Sequence, residues 1–283
     1  MRTLVLTCLL VLPGIGFAQS RLHLNFFGGI SNYEGDLQEK YFTMQQSNLA
    51  AGLGLQYDIT NHLAVRLGFN YGKVEGNDKE ATKEVLRARN LSFQTKIAEV
   101  NLLLEYSLFD IQERKATPYV FGGIAVFHYN PYAYDTLGNK IYLKPLSTEG
   151  QGLAQYPDRK PYNLTQFALP FGVGVKLRIT DRAILAYEIG FRKLFTDYLD
   201  DVSKTYVDAF TLAQERGLKA VEMSYRGGEL KGGNPDYPAD GVVRGGAKYK
   251  DWYYFTGFTL SFAIGGNGGG GSRNGLACPR KVM

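Results

Sequence analysis

Leu49-Ala50-Ala51-Gly52-Leu53-Gly54-Leu55-Gln56-Tyr57 splits into two sets by strict alternation. Leu49, Ala51, Leu53, Leu55 and Tyr57 form one set, and Ala50, Gly52, Gly54 and Gln56 form the other. Successive side chains of a β-strand point to opposite faces, so this stretch reads as a strand with one apolar face and one face of small or polar groups. A helix would scatter the same residues around its circumference.

The pattern recurs along the chain. Leu63, Val65, Leu67, Phe69 and Tyr71 oppose Ala64, Arg66, Gly68, Asn70 and Gly72. Ala98, Val100, Leu102, Leu104 and Tyr106 oppose Glu99, Asn101, Leu103 and Glu105. Phe167, Leu169, Phe171, Val173, Val175 and Leu177 oppose Gln166, Ala168, Pro170, Gly172, Gly174 and Lys176. Leu185 to Arg192 and Trp252 to Phe262 alternate likewise, as does Leu22 to Ile30, while Tyr119 to Phe127 does so less cleanly. Eight strands are therefore predicted, at 21–30, 48–58, 63–74, 91–110, 118–129, 164–179, 183–197 and 251–264.

Their connections alternate in length. Residues 58–62, 111–117 and 180–182 are short, whereas 31–47, 75–90, 130–163 and 198–250 are long. Short turns at one end and long loops at the other are the layout of an outer-membrane barrel, with the loops extracellular and both termini periplasmic. A secreted lipocalin-like barrel also has eight strands, but its apolar side faces inward around a ligand. Here the polar sets mix glycines with Arg66, Glu99, Glu105, Lys176, Arg178, Glu188 and Arg192, which suits a crowded lumen. Leu, Val and Phe on the other face suit lipid, and Tyr57, Tyr71, Tyr106, Trp252 and Tyr254 near strand ends resemble interfacial girdles. The reading is an all-β, eight-stranded antiparallel transmembrane barrel. Its lumen charges are expected to pair between neighbouring strands, Arg66 with Glu99 and Glu105, and Glu188 with Lys176 and Arg178, as a plug.

The two ends of the chain carry separate signals. Arg2, the apolar run from Thr3 to Phe17 and the small residues Gly16 and Ala18 read as a signal peptide over 1–18, cut before Gln19. The run is short for a membrane anchor, and Cys8 leaves with it. The barrel occupies 19–264, and a flexible periplasmic tail is expected over 265–283, glycine-rich and then basic. Once the leader is gone Cys278 is the one remaining cysteine, and an odd cysteine in an exported protein suggests an intermolecular disulfide or a free thiol.

Composition narrows the function. There are 34 Gly, 20 Tyr and 17 Phe against 3 His and 2 Cys, and the net charge of +5 is spread without a Lys or Arg run. No nucleic-acid partner is expected. His23, His62 and His128 lie in different segments without metal-ligand spacing, so neither a metal nor a cofactor is expected. A Ser-His-acid triad on a barrel, as in outer-membrane lipid deacylases, would use His128 near the outer leaflet, but no Ser stands out at a matching depth. Asp197, Asp200 and Asp201 could hold a cation, though without the spacing of a calcium loop. Asp78 to Arg89 and Ser203 to Arg216 are predicted as loop helices, the second presenting Tyr206, Phe210 and Ala213 on one face and ending at Gly217. No enzyme chemistry emerges.

Several stretches in order carry a family likeness: Phe27-Gly28-Gly29-Ile30-Ser31-Asn32-Tyr33-Glu34-Gly35-Asp36-Leu37, Thr117 to Ile124, Pro145 to Gly152, Leu169 to Asp201 and Cys278-Pro279-Arg280. On these the chain resembles the PorG family, the outer-membrane barrel component of the type IX secretion system and its gliding-associated relatives. The resemblance implies a non-enzymatic role in protein export, with the periplasmic ring of the PorK lipoprotein and PorN as partners. Cys278, Arg273, Pro279, Arg280 and Lys281 would then be the residues that meet the ring. A surface adhesin or membrane-integrity barrel, or a lipid-modifying barrel enzyme, are the alternatives.

Overall fold

The computed structural model describes residues 21–38, 46–248 and 250–264. The leader at 1–18 and the tail at 265–283, with Arg273, Cys278, Pro279, Arg280 and Lys281, lie outside the described residues. Strands β1 (Leu22–Glu34), β2 (Asn48–Asp58), β3 (Leu63–Asn77), β4 (Ser92–Ser107) and β5 (Ala116–His128) follow one another. A short hairpin of β6 (Tyr132–Tyr134) and β7 (Lys140–Tyr142) comes next, then β8 (Thr165–Arg178), β9 (Ala183–Leu194) and β10 (Trp252–Ile264). The long strands pair antiparallel with their neighbours, and β1 pairs with β10 from Leu22–Ile264 to Glu34–Trp252, which closes the barrel. The hairpin adds to β4 through Tyr132 and Gln94.

Register fixes the shape. One inward row runs Gly72, Ala50, Gly29, Gly257, Glu188, Gly174, Tyr119, Ser107. Ser107 N–H then donates to His62 O, so the row returns to the residue just before β3, ten residues from where it left (72 − 62). Such a stagger over eight strands demands a tilt of about 35–45° and a lumen that side chains fill. The glycines in the row follow from that. A Cβ on Gly174 would come within 2.6 Å of the Tyr119 ring, and one on Gly72 within 2.8 Å of Ser31 Oγ.

The two faces differ as the alternation requires. Leu53, Leu67, Leu102, Val173 and Phe258 lie on the outside, each about half exposed, while Glu99 and Glu105 on the inside are buried. An apolar exterior around a charged interior is the reverse of a soluble barrel. Closure leaves no free strand edge, so every wall N–H and C=O can be satisfied in hydrocarbon. The chain is a transmembrane β-barrel of the outer-membrane type. Among the described residues no helix is long and apolar enough to cross a membrane.

Strand ends differ from the sequence reading at both the loop end and the turn end. β1 runs on to Glu34 and β3 to Asn77, because their partners β10 and β4 also continue past the apolar belt. β4 stops at Ser107, where Leu108 N–H turns to Pro118 O and Phe109 N–H to Thr117 Oγ1. β6 and β7, of three residues each, are too short for alternation to reveal.

The long loops fold into an ordered cap. Tyr33, Leu37, Leu91, Phe93, Tyr129, Tyr162, Leu199 and Met223 bury themselves in one apolar cluster, and Leu153, Val207, Leu212 and Ala220 in another. α1 (Glu84–Arg89) follows a 3-10 turn at Asp78–Glu80, so the stretch read as one helix is broken in two. α2 (Ala209–Arg216) begins later than Ser203 because Asp208 caps it, accepting from Thr211 N–H at 2.8 Å. Gly217, at φ 85°, ends it, and α3 (Leu218–Ser224) follows. On α2 Phe210 is 76% exposed, and Leu212 is the residue buried.

Candidate functional site

Charge gathers in two places, the lumen and the cap. In the lumen, Arg66 on β3 forks onto Glu188 of β9 at 2.9 and 3.3 Å and turns its Nε to Glu105 of β4 at 3.2 Å. Lys176 Nζ on β8 reaches the other oxygen of Glu105 at 2.7 Å, and Tyr119 OH donates to Glu188 at 2.5 Å. A second layer nearer the cap centres on Glu99, which accepts from Arg192 Nε at 2.9 Å and Nη2 at 3.1 Å, Tyr253 OH at 2.6 Å, Asn70 at 3.1 Å and Asn101 at 2.7 Å. The rings of Phe121 and Phe255 lie against the Arg66 and Arg192 guanidinia.

Three carboxylates thus face three cations, Glu99, Glu105 and Glu188 against Arg66, Lys176 and Arg192. The pairing expected between adjacent strands holds for Arg66 with Glu105 and is corrected for the rest. Arg66 skips Glu99, and Glu188 meets Arg66 and neither Lys176 nor Arg178. In a barrel this narrow, long side chains reach across the lumen as easily as to the next strand. Arg178 stands apart at the turn end, where its Nη1 donates to Gln112 O at 2.9 Å. The gap among Asn25, Asn101 and Thr259 is about 20 Å³, room for a water and no more.

The cap is tied by a buried polar node drawn from all four loops. Glu149 accepts from Ser203 N–H at 2.9 Å, Lys204 N–H at 3.0 Å and Arg244 Nη1 at 3.0 Å. Arg244 also donates to Asp201 O at 2.7 Å and Ser224 O at 3.1 Å. Asp201 accepts from Thr148 OH at 2.5 Å and Tyr162 OH at 2.7 Å. Both oxygens of Asp36 take Gly246 N–H at 2.9 Å. Arg89, paired with Asp78 at 2.7 Å, donates to Asp36 O and Arg244 O. Beneath the node Tyr33 OH donates to Asp200 at 2.5 Å and also touches Asp251 at 3.3 Å.

Burial dominates the acid–base chemistry here. It pushes Asp201 up to about 6 although Arg244 opposes it, and Asp197 up to about 6 against its Ser203 bond. Asp200 and Asp251 rise well above the carboxylate range, chiefly through burial, with neighbouring carboxylates adding to it. Their oxygens point at N–H and O–H donors, and among the described residues no group of three or more His, Cys, Asp or Glu could hold a metal ion. The cation considered for Asp197, Asp200 and Asp201 has no ligand set there.

The histidines stay separate. His23 meets Asp58 at 2.9 Å, His62 meets Ser107 O at 2.9 Å, and His128 meets Thr165 Oγ1 at 3.0 Å. The hydroxyl beside His128 is therefore that of a threonine, and among the described residues no carboxylate bonds to its ring. On the outer surface of the cap Val85, Leu86, Tyr206, Tyr225, Val242 and Val243 line an apolar groove of about 460 Å³.

Sequence reading missed the roles of Arg89, the last residue of α1, and of Arg244 and Gly246, which sit in irregular loop backbone. The likeness stretches did mark their partners. Asp36, Thr148-Glu149 and Asp197 to Asp201 belong to three separate stretches, and all meet in or under this node.

Several solved structures are similar to the chain at low identity. Neisserial surface protein A is 9% identical, covering 87% of this chain and 98% of its own, with a TM-score of 0.42. The outer membrane protein OprG from Pseudomonas aeruginosa is 12% identical over 87% and 99%, at 0.39. Ail, the attachment invasion locus protein of Yersinia pestis, is 10% identical over 85% and 97%, at 0.38. Among curated proteins none matches. The family model described as a domain of unknown function, DUF6089, matches residues 3–217, and the chain belongs to that family.

Proposed function

We propose that this barrel is a non-enzymatic component of the type IX secretion machinery, with its loop end outside the cell and its termini in the periplasm, where it holds the PorK/PorN ring to the outer membrane. The observation that carries the reading is the convergence of the likeness stretches. Residues near 36, 149 and 200 are far apart in the chain, yet their carboxylates organise one buried node. The filled lumen fits the same role, because folded cargo could not pass it and the protein would act as a fixture beside a separate conduit.

The periplasmic contact is assigned to the tail. Cys278 would form a disulfide with the lipoprotein, after Arg273, Arg280 and Lys281 beside Pro279 steer the tail to an acidic surface. A non-reducing gel should show a high-mass adduct that vanishes with reductant and in Cys278→Ser. A clean deletion should abolish export of type IX cargo and leave outer-membrane hydrolase activities unchanged.

The apolar groove on the cap favours a second reading, a surface adhesin. Normal cargo export in the deletion strain, with loss of surface attachment, would select it and reject the secretion role.

A further inference from the structure

On the outer wall Lys73 of β3 and Lys96 of β4 face each other directly in register. Side chains so paired have Cβ atoms about 5 Å apart, and like charges there repel. Both belong to the lipid-facing set. Lys73 continues Leu67, Phe69 and Tyr71, and Lys96 continues Leu102, Val100 and Ala98. Lys73 stands ten residues above Leu63 (73 − 63), at the turn end of β3. At a rise of ~3.3 Å per residue and a tilt of ~40° this is ~25 Å along the membrane normal, the height of an apolar belt. The lysines therefore sit where hydrocarbon gives way to headgroups, on the cap side.

Their surroundings are unevenly charged. Glu75 Oε2 holds Lys73 Nζ at 2.9 Å, whereas Lys96 is exposed and has no acidic partner among the described residues. Just above, Gln94 bonds Tyr132 OH at 3.1 Å, and Lys140 Nζ lies 3.8 Å from the centre of the Tyr132 ring. The trio Lys73, Glu75 and Lys96 carries one net positive charge, and Lys140 adds another. Below lies uninterrupted apolar wall formed by Phe69, Val100, Ile124 and Val126, each exposed.

We propose that Lys73 and Lys96 bind the phosphate of a lipid headgroup in the leaflet on the cap side, with the acyl chains lying on the wall beneath. An anion between the ammonium groups turns their mutual repulsion into two charge-assisted hydrogen bonds. The site rests on the barrel reading and on the proposed orientation with the loop end outside, and does not depend on a role in secretion, so failure of the export test would leave it standing. With the loop end outside, the ligand is a phosphorylated lipid of the outer leaflet.

The test titrates the full-length protein in detergent micelles with monophosphoryl lipid A, phosphatidylcholine or inorganic phosphate, and follows adducts by native mass spectrometry. Wild-type protein should retain one lipid A in preference to phosphatidylcholine, and the Lys73→Gln/Lys96→Gln double variant should bind it about tenfold more weakly. Lys193→Gln, on the outside of β9 beside Trp252, should bind as wild type does. Heat-modifiable gel migration checks that each variant is folded. Unchanged lipid A binding by a folded double variant overturns the proposal, and so does equal weakening by Lys193→Gln. Displacement of lipid A by millimolar inorganic phosphate would assign the lysines to free phosphate and overturn the lipid source.

Discussion

Glu99 shows how much one lumen side chain carries. It is fully buried and takes hydrogen bonds from Arg192, Tyr253, Asn70 and Asn101, so its removal strands a guanidinium and three other donors. Breaking a buried pair by deleting one partner costs ~3–5 kcal/mol, whereas replacing both partners by apolar groups can be nearly neutral. Glu99→Ala should therefore destabilise the barrel by about that amount, and Glu99→Leu/Arg192→Met by much less. Urea unfolding in micelles, read as loss of the fast-migrating folded band, measures both. Equal destabilisation by the single and double variants would contradict the pairing. On the opposite face Leu102, near mid-height between Tyr106 and Lys96, meets lipid, and Leu102→Arg should cost ~2–4 kcal/mol in a bilayer. A neutral Leu102→Arg would place that face outside hydrocarbon.

At the scale of elements, strands and loops differ in how plainly they are written. Alternation tells which way Leu53 or Arg66 points, because a strand's period is two wherever it pairs. It says nothing of which cation meets which carboxylate. Arg66 bonds Glu188 because β3 and β9 face each other across a lumen whose width depends on the stagger of all eight strands. The cap was still less legible. Arg244 and Glu149 are 95 residues apart and lie in irregular backbone, where no period announces burial. On α2 Leu212 is buried while Phe210 stands exposed, since the packing of Val207 and Ala220 chooses the face.

The cap's acids make its stability depend on pH. Asp197 and Asp201 have folded values of about 6, above the ordinary range near 4. The folded cap binds protons more tightly than the open one, so raising pH from about 4 to about 6 costs stability. Asp200 and Asp251, also raised by burial, act in the same direction. Amide hydrogen exchange in residues 197–204, corrected for intrinsic rates, should show more protection at pH 5 than at pH 8. Equal or greater protection at pH 8 would mean that these carboxylates are solvated or paired with cations.

For the whole molecule, belt, plug and cap describe a membrane barrel whose lumen is filled by side chains. The apolar exterior sets the chain in lipid, the six lumen charges cancel within it, and the ordered loops cover one mouth. Conductance of the purified full-length protein in planar bilayers tests this most directly. The expected result is a silent membrane for wild type, with current appearing only when Arg66 and Arg192 are both replaced by Ala. A steady open-channel current through the wild-type protein would contradict the account.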